Sequence, residues 1–151
     1  MKIAVGSDEK TRLTDFVVEE LKKRKHEVEL FGLLKGEPLS WVEVGEQVAL
    51  SVSHGYCQEG ILFCWTGTGV SISANKVPGI RAALCFDAKT AEGARKWNQA
   101  NILAMSLRLT SKAVASEILD AWFGTAWGTG GDAEDVTKLT NMEGKYKSCA
   151  G

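Results

Sequence analysis

Short apolar runs alternate along this chain with longer segments in which apolar residues recur every three or four positions. The runs predict five β-strands, at Ile3–Val5, Val28–Phe31, Ile61–Cys64, Ile80–Phe86 and Ile102–Met105. The amphipathic segments predict five helices, at Leu13–Leu21, Trp41–Val52, Val70–Asn75, Ala88–Trp97 and Ser111–Phe123. Strands that alternate with helices form right-handed βαβ units. We therefore predict an α/β fold, a Rossmann-like αβα sandwich with a five-stranded parallel sheet.

The pattern changes after residue 125. Residues 1–125 carry the alternation of strands and helices and are predicted to form one domain. Residues 126–151 begin with a Gly-rich connector, Trp127–Gly131, and continue as a polar tail with one helix predicted at Asp132–Met142. Such a tail packs on a partner subunit or frays as a terminus, and the sequence leaves both alternatives open.

The composition excludes several classes of partner. The chain has 151 residues, with 18 Lys and Arg against 19 Asp and Glu, so its charge gives no attraction for nucleic acid or an anionic membrane. No apolar segment approaches the ~20 residues that span a bilayer, and the first apolar run is too short for a secretion signal. The four cysteines, Cys57, Cys64, Cys85 and Cys149, lack zinc-ligand spacing. We expect a cytoplasmic protein with reduced thiols and no metal.

Polar residues that follow the predicted strands are the candidates for a site. In an open parallel sheet, ligands bind outside the carboxyl ends of the strands. Asp8 and Glu9 follow the first strand, Cys64–Gly69 ends and follows the third, and Arg108 follows the fifth. Asn98, at the end of the fourth helix, is a further candidate. These positions predict where a small molecule would bind.

The strongest local signal is the segment Cys64-Trp65-Thr66-Gly67-Thr68-Gly69, which directly precedes a predicted helix. Two glycines one residue apart let backbone N–H groups converge on an anion or a developing oxyanion. The segment is not a dinucleotide-binding fingerprint, because Ile72 stands where the third glycine would be, and it lacks the Gly-Lys-Ser/Thr of a Walker A loop. A tight structural turn would contain the same glycines, so both interpretations stay open.

Cys64 also has two interpretations. A lone cysteine that ends an apolar strand is commonly a small core residue. Converging N–H groups and a helix N-terminus stabilise a thiolate, however, and would make Cys64 a base or a nucleophile. Cys57, Cys85 and Cys149 have no comparable surroundings.

A family resemblance starts at Gly60. The segment Gly60–Lys76, GILFCWTGTGVSISANK, and the VPGIRAA that follows it closely resemble the central motif of the ribose-5-phosphate isomerase B / galactose-6-phosphate isomerase family. Met1–Asp8 resembles the first strand of that family, and Asn98–Ala104 and Asp120–Gly124 resemble its later segments. The resemblance covers residues 1–125 in order, and it is most specific at Cys64–Lys76.

The resemblance implies an aldose–ketose isomerase that acts through a cis-enediolate on a pentose or hexose phosphate, of the ribose 5-phosphate/ribulose 5-phosphate type. In the family, the cysteine that matches Cys64 takes the proton beside the carbonyl, and the threonine that matches Thr66 assists the proton shuttling. The amides of Gly67–Gly69 stabilise the enediolate oxygen, and the residues matching Asp8 and Asn98 hold sugar hydroxyls or enediolate oxygens. Family members are homodimers or homotetramers with a site between two subunits, and they need no metal or other cofactor.

Three positions near the predicted site depart from the family's pattern. Glu9 stands where the family has a histidine, Trp97 where it has the histidine that opens the sugar ring, and Trp65 where it has a glycine. A changed substrate explains these residues if the indole faces pack against sugar C–H groups. Drift in an inactive paralogue would produce the same substitutions.

The phosphate-binding positions depart as well. Gly131 and Asp135 align with two phosphate-binding arginines, whereas Arg108 is retained, so a phosphate would meet fewer cations. The alternatives to a sugar-phosphate isomerase are therefore an isomerase for an unphosphorylated sugar and an inactive sugar- or sugar-phosphate-binding paralogue with a regulatory role.

Overall fold

Five parallel strands form one sheet in the computed structural model, which describes residues 1–147. They are β1 (Lys2–Ser7), β2 (Glu27–Gly32), β3 (Glu59–Cys64), β4 (Ala82–Leu84) and β5 (Ile102–Ser106), in the order β2-β1-β3-β5-β4. This confirms the predicted five-stranded parallel sheet. Cys149 lies outside the described residues.

The edge strand β4 is shorter than the predicted Ile80–Phe86. The N–H of Ile80 donates to the Val77 carbonyl, and the N–H of Arg81 donates to the Asn101 side chain at 2.8 Å. These groups are therefore used by a turn and a side chain, so the ladder with β5 starts only at Ala82.

Six helices connect and cover the strands. They are α1 (Arg12–Lys23), α2 (Trp41–Ser53), α3 (Thr68–Ala74), α4 (Ala88–Asn98), α5 (Lys112–Gly124) and α6 (Gly131–Lys147). Four of them begin at a polar cap whose side chain accepts a backbone N–H of the first turn, at Thr11, Ser40, Asp87 and Ser111. None of the helices within residues 1–147 is both long and apolar enough to cross a membrane.

Two hydrophobic cores lie on the two faces of the sheet. On β3, Ile61 and Phe63 point into the core covered by α1, α4 and α5, whereas Leu62 and Cys64 point into the core covered by α2 and α3. Alternate residues of a strand face opposite sides, and β3 is buried on both, as expected for a central parallel strand.

The tail helix α6 is longer than the predicted Asp132–Met142. It packs along α4, and the Glu143 carboxylate accepts the Gly79 N–H at 3.1 and 3.2 Å. In this chain the tail therefore lies beside the β4 edge of the sheet. Packing of the tail on a partner subunit stays a prediction.

Candidate active site

The strand order changes direction between β1 and β3. From β1 the chain continues to β2 on one side of the sheet, and from β3 it continues to β4 on the other side. The register pairs Ser7 with Phe63, so the next residues, Asp8 and Cys64, lie side by side at strands spaced ~4.8 Å apart. Ligands of open α/β sheets bind at this kind of crevice. The sheet thus places Asp8 and Cys64 at neighbouring strand ends.

The loop after Cys64 is held by the segment that follows β5. The Cys64 carbonyl accepts the Leu107 N–H at 3.0 Å, and the Trp65 carbonyl accepts both the Arg108 N–H and the Ser106 hydroxyl. These bonds fix the backbone on one side of the loop. They also bring Arg108 to the same edge as Cys64.

Gly67 has the backbone conformation that this loop requires. Its φ is +76°, in the left-handed region, and an added Cβ would lie 2.6 Å from a methyl carbon of Leu84 and 2.9 Å from the Met105 carbonyl carbon. No side chain fits there without moving backbone, so this glycine is a requirement of the loop.

The N–H groups of Gly67, Thr68 and Gly69 point to no acceptor in the described part of the chain. The hydroxyls of Thr66 and Thr68 lie 2.6 Å apart, with either one able to donate. The Cys64 side chain is almost fully buried, and its Sγ has no hydrogen-bond partner within residues 1–147. Free donors beside a buried thiol are the arrangement that stabilises negative charge on a ligand oxygen.

Asp8 is a partly buried carboxylate with one unsatisfied oxygen. Its Oδ1 is buried and has no hydrogen-bond partner among the described residues. Burial raises the pKa of Asp8, and the negative charge of Glu9 raises it further. Glu9 itself is exposed, and its N–H donates to the Ser7 hydroxyl. Asp8 is therefore ready to accept a ligand hydroxyl.

Arg108 supplies positive charge at the same edge. Its side chain is exposed, and no carboxylate of residues 1–147 forms an ion pair with it. A guanidinium without a partner is suited to a carboxylate or phosphate ligand.

Trp41, at the start of the second predicted helix, lies beside the glycine loop. It is the first residue of α2, and its ring packs on Gly69, where an added Cβ would lie 2.8 Å from a ring carbon. Gly45 permits this, since its missing side chain lets α2 approach Ser73 and Val70 of α3. The sequence signal for this position of Trp41 is Ser40, which caps α2 and so makes the helix begin at the carboxyl edge of the sheet.

Trp97 and Asn98 do not join Cys64 within one chain. The helix α4 starts after β4, at the carboxyl edge, and ends before β5, at the amino edge. Both residues are exposed at that far end, with the Trp97 ring against Gly93. The sequence analysis grouped Asn98 with candidates at the carboxyl edge of the sheet. Within one chain that grouping is wrong, because Asn98 lies at the amino edge.

Cys57 and Cys85 are buried thiols with different surroundings. Cys85 directly follows β4 at the carboxyl edge, but it faces the core covered by α1, α4 and α5, on the opposite side of the sheet from Cys64. Burial raises the pKa of Cys85 to about 12, and it also raises the pKa of Cys57, which donates to the Glu29 carboxylate at 3.6 Å. The Cys57 thiol is bonded to a carboxylate and the Cys85 thiol faces the other core, so neither shares the surroundings of Cys64.

A cavity of about 1160 Å³ lies outside the Cys64 loop, with none of residues 64–69 in its lining. It runs along α4 between the edge strand β4 and α6, with apolar walls such as Leu84, Ala94, Leu139 and Met142. Trp97 and Asn98 lie at its end. The size of this cavity therefore does not identify the candidate active site.

The carboxyl edge of the sheet around Cys64 can support proton transfer at carbon. The thiol can exchange a proton, and the free amides of the loop can hold the oxygen that gains negative charge. Enzymes that isomerise carbonyl compounds need these two functions side by side. The sequence model of the Ribose/Galactose Isomerase family matches residues 3–139, and the chain belongs to this family. The protein is an isomerase of the sugar-phosphate, aldose–ketose class.

Relatives of known name agree over most of the chain. The "Ribose-5-P isomerase B" of Listeria innocua is 36% identical over 97% of this chain and 100% of that protein. The "D-erythrulose-4-phosphate isomerase" of Pectobacterium atrosepticum is 40% identical over 74% of each protein. The structure of Clostridium thermocellum ribose-5-phosphate isomerase B matches with a TM-score of 0.90 and 40% identity, over 97% of this chain and 99% of that one.

Proposed function

We propose that this protein interconverts an aldose phosphate and its ketose phosphate through an enediolate, with Cys64 as the base. The observation that carries the proposal is the β1–β3 register, which sets Asp8 beside Cys64 at the start of a loop with three free amides. The names of the relatives refer to substrates of five and of four carbons. Family membership therefore leaves the length of the sugar open.

The reaction moves one proton between neighbouring carbons. The Cys64 thiolate takes the proton from C2 of the aldose, and the electron pair moves to the carbonyl oxygen on C1, which becomes negative. The amides of Gly67, Thr68 and Gly69 hold this oxygen. The Thr66 and Thr68 hydroxyls, 2.6 Å apart, pass the hydroxyl proton from O2 to O1. The thiol then returns its proton to C1, which leaves a ketone at C2 and an unchanged Cys64.

Charged groups orient the substrate around this centre. The unpaired oxygen of Asp8 accepts a sugar hydroxyl, and the unpaired guanidinium of Arg108 binds the phosphate. Gly131 has no side chain to bind an anion, and the Asp135 carboxylate pairs with Lys138 at 2.7 Å. Arg108 is therefore the cation on which phosphate binding rests.

A second subunit completes the site in this proposal. Trp97 and Asn98 of one subunit reach the Cys64 loop of the next, where Asn98 bonds a hydroxyl and the indoles of Trp97, Trp65 and Trp41 face sugar C–H groups. The exposure of Trp97 and Asn98 and the apolar cavity beside them support such a contact. Light scattering is expected to give a dimer or tetramer, and a mass near the 16.3 kDa of one chain would contradict this arrangement.

Solvent exchange tests the reaction directly. Incubated in heavy water with D-ribose 5-phosphate and D-erythrose 4-phosphate in separate samples, the protein is expected to incorporate deuterium at C1 or C2 of at least one of them. Cys64→Ser replaces the base by a hydroxyl that hardly ionises, so we expect a loss of about 10²–10⁴ in rate. Cys85→Ser is the matched control, because burial raises the pKa of the Cys85 thiol to about 12 and this thiol faces the opposite side of the sheet from Cys64.

Two outcomes would redirect the proposal. Binding of a sugar phosphate without any deuterium incorporation would indicate a binding protein instead of an active isomerase. Near-normal exchange in Cys64→Ser would reassign the base, and Asp8 and Glu9 would be the next candidates. Exchange with unphosphorylated sugars alone would reassign the substrate.

A further inference from the structure

We propose that the site is specific for a sugar phosphate that is open-chain in water, and that a tetrose 4-phosphate is its aldose substrate. This inference rests on the isomerase function proposed above. The observation behind it is the absence of any imidazole near Cys64. Both histidines of the chain, His26 and His54, lie elsewhere in the fold.

The chemistry separates four-carbon from longer aldose phosphates. A pentose or hexose phosphate closes to a five- or six-membered hemiacetal, so its isomerase must open the ring. Opening needs one group that donates a proton to the ring oxygen and another that accepts the anomeric hydroxyl proton. In a tetrose 4-phosphate O4 is esterified, and O3 could close only a four-membered ring. Such a substrate presents its carbonyl without help from the enzyme.

The two histidines are in the wrong place for ring opening. His26 precedes β2 and packs against the Phe123 ring, with centroids 4.6 Å apart, and His54 ends α2 beside Tyr56. Both lie at the amino edge, on the β1–β2 side of the sheet. Trp97 lies at the β4–β5 side, and β2 and β4 are four strand spacings or roughly 19 Å apart. A partner that presents Trp97 to the Cys64 loop therefore does not present a histidine with it.

The residues that do surround the reacting carbons are poor at ring opening. The indole of Trp97, 58% exposed, donates only, and the Asn98 amide does not titrate. Trp65 is also 58% exposed, and its carbonyl accepts hydrogen bonds from the Arg108 N–H and the Ser106 hydroxyl. These bonds hold its backbone in place, so a second indole lies at the mouth of the loop.

In the proposed mechanism Cys64, Thr66 and Thr68 carry the proton transfers of enolisation. No imidazole is left to donate a proton to the ring oxygen. The site is thus equipped for enolisation and for contact with C–H groups.

Substrate preference tests this inference. The full chain is assayed with D-erythrose 4-phosphate and D-ribose 5-phosphate, by product formation and by deuterium incorporation. Only the small open-chain fraction of the pentose can react, so we expect kcat/KM for the tetrose to be at least about 100-fold higher. A preference of less than about tenfold, or one for the pentose, would overturn the inference and leave the isomerase function intact. Failure of both sugar phosphates to exchange deuterium would overturn the isomerase function itself.

Two variants of Trp97 sharpen the result. Trp97→His places an imidazole at the end of α4, and we expect it to narrow the preference by raising kcat/KM for ribose 5-phosphate about tenfold. Trp97→Phe removes the indole without adding a titratable group, and the preference for the tetrose is expected to persist. If both variants showed the same preference for the tetrose over the pentose, residue 97 would not face the position of the sugar's ring oxygen.

Discussion

The two ends of strand β3 carry polar groups in opposite states. At the first residue, both oxygens of the buried Glu59 carboxylate are paired, with the Arg95 guanidinium at 2.8 Å and with the Trp122 indole N–H at 2.7 Å. At the last residue, the Cys64 thiol has no hydrogen-bond partner within residues 1–147, and the Asp8 carboxylate beside it has an unpaired buried oxygen.

The arginines at the two ends differ in the same way. Arg95 also donates to the Ala100 carbonyl at 2.7 Å and lies over the rings of Trp122 and Trp127, and only its Nε lacks a partner. Arg108 pairs with no carboxylate of the described chain. Buried polar groups that serve the fold are satisfied within it. The unsatisfied set at the carboxyl end is the one that a ligand would complete.

The amino end is expected to produce the largest effect on stability. Glu59→Gln removes the charge opposite Arg95 and leaves the guanidinium without its counter-charge, so the free energy of unfolding should fall by roughly 3–5 kcal/mol. Urea unfolding followed by circular dichroism measures this. Glu117→Gln, an exposed carboxylate on α5, is the control and should stay within about 0.5 kcal/mol. Equal losses in the two variants would mean that the paired Glu59 carboxylate stabilises the fold no more than a surface carboxylate does.

A smaller effect is expected at Arg108, on binding. In the proposed site Arg108 binds the phosphate, and a charge-assisted bond of this kind is worth about 1.5–3 kcal/mol. Arg108→Gln is therefore expected to raise KM for the sugar phosphate roughly 10–100-fold. The backbone N–H that holds the Trp65 carbonyl is unchanged, so the loop stays in place. Inhibition by inorganic phosphate should weaken in parallel. An unchanged KM would mean that Arg108 is a solvated surface residue.

The smallest effect is expected from Asp8, in the pH dependence of stability. Burial and then the Glu9 charge raise the pKa of Asp8 above its ordinary value, so the folded state holds this proton more tightly than the unfolded chain. Stability therefore falls as the pH rises from about 4 through the raised pKa. Asp8→Asn should match the wild type below this window and be slightly more stable above it, with lower turnover. Melting temperatures across this pH range measure it, and a less stable variant at neutral pH would contradict the assignment.

Much of the fold follows from local patterns. The apolar runs and the three-and-four spacing locate all five strands and the helices between them, since each element buries one face or both. The limits of β4 depend on distant partners, because the Arg81 N–H donates to the side chain of Asn101. The contact between Trp41 and Gly69 is of the same kind, as it depends on how closely α2 approaches α3.

For the site, the sequence by itself determined which residue types end the strands: Asp8 after β1, Cys64 and the glycine loop after β3, and Arg108 after β5. Chain order and side-chain chemistry suffice for that. Only the tertiary structure decided that Asp8 and Cys64 are neighbours, because strand order and register are set by contacts between residues far apart in the chain. It also decided that Trp97 and Asn98 lie at the opposite edge, since a helix that returns to start the next strand must carry its last residues across the length of the sheet.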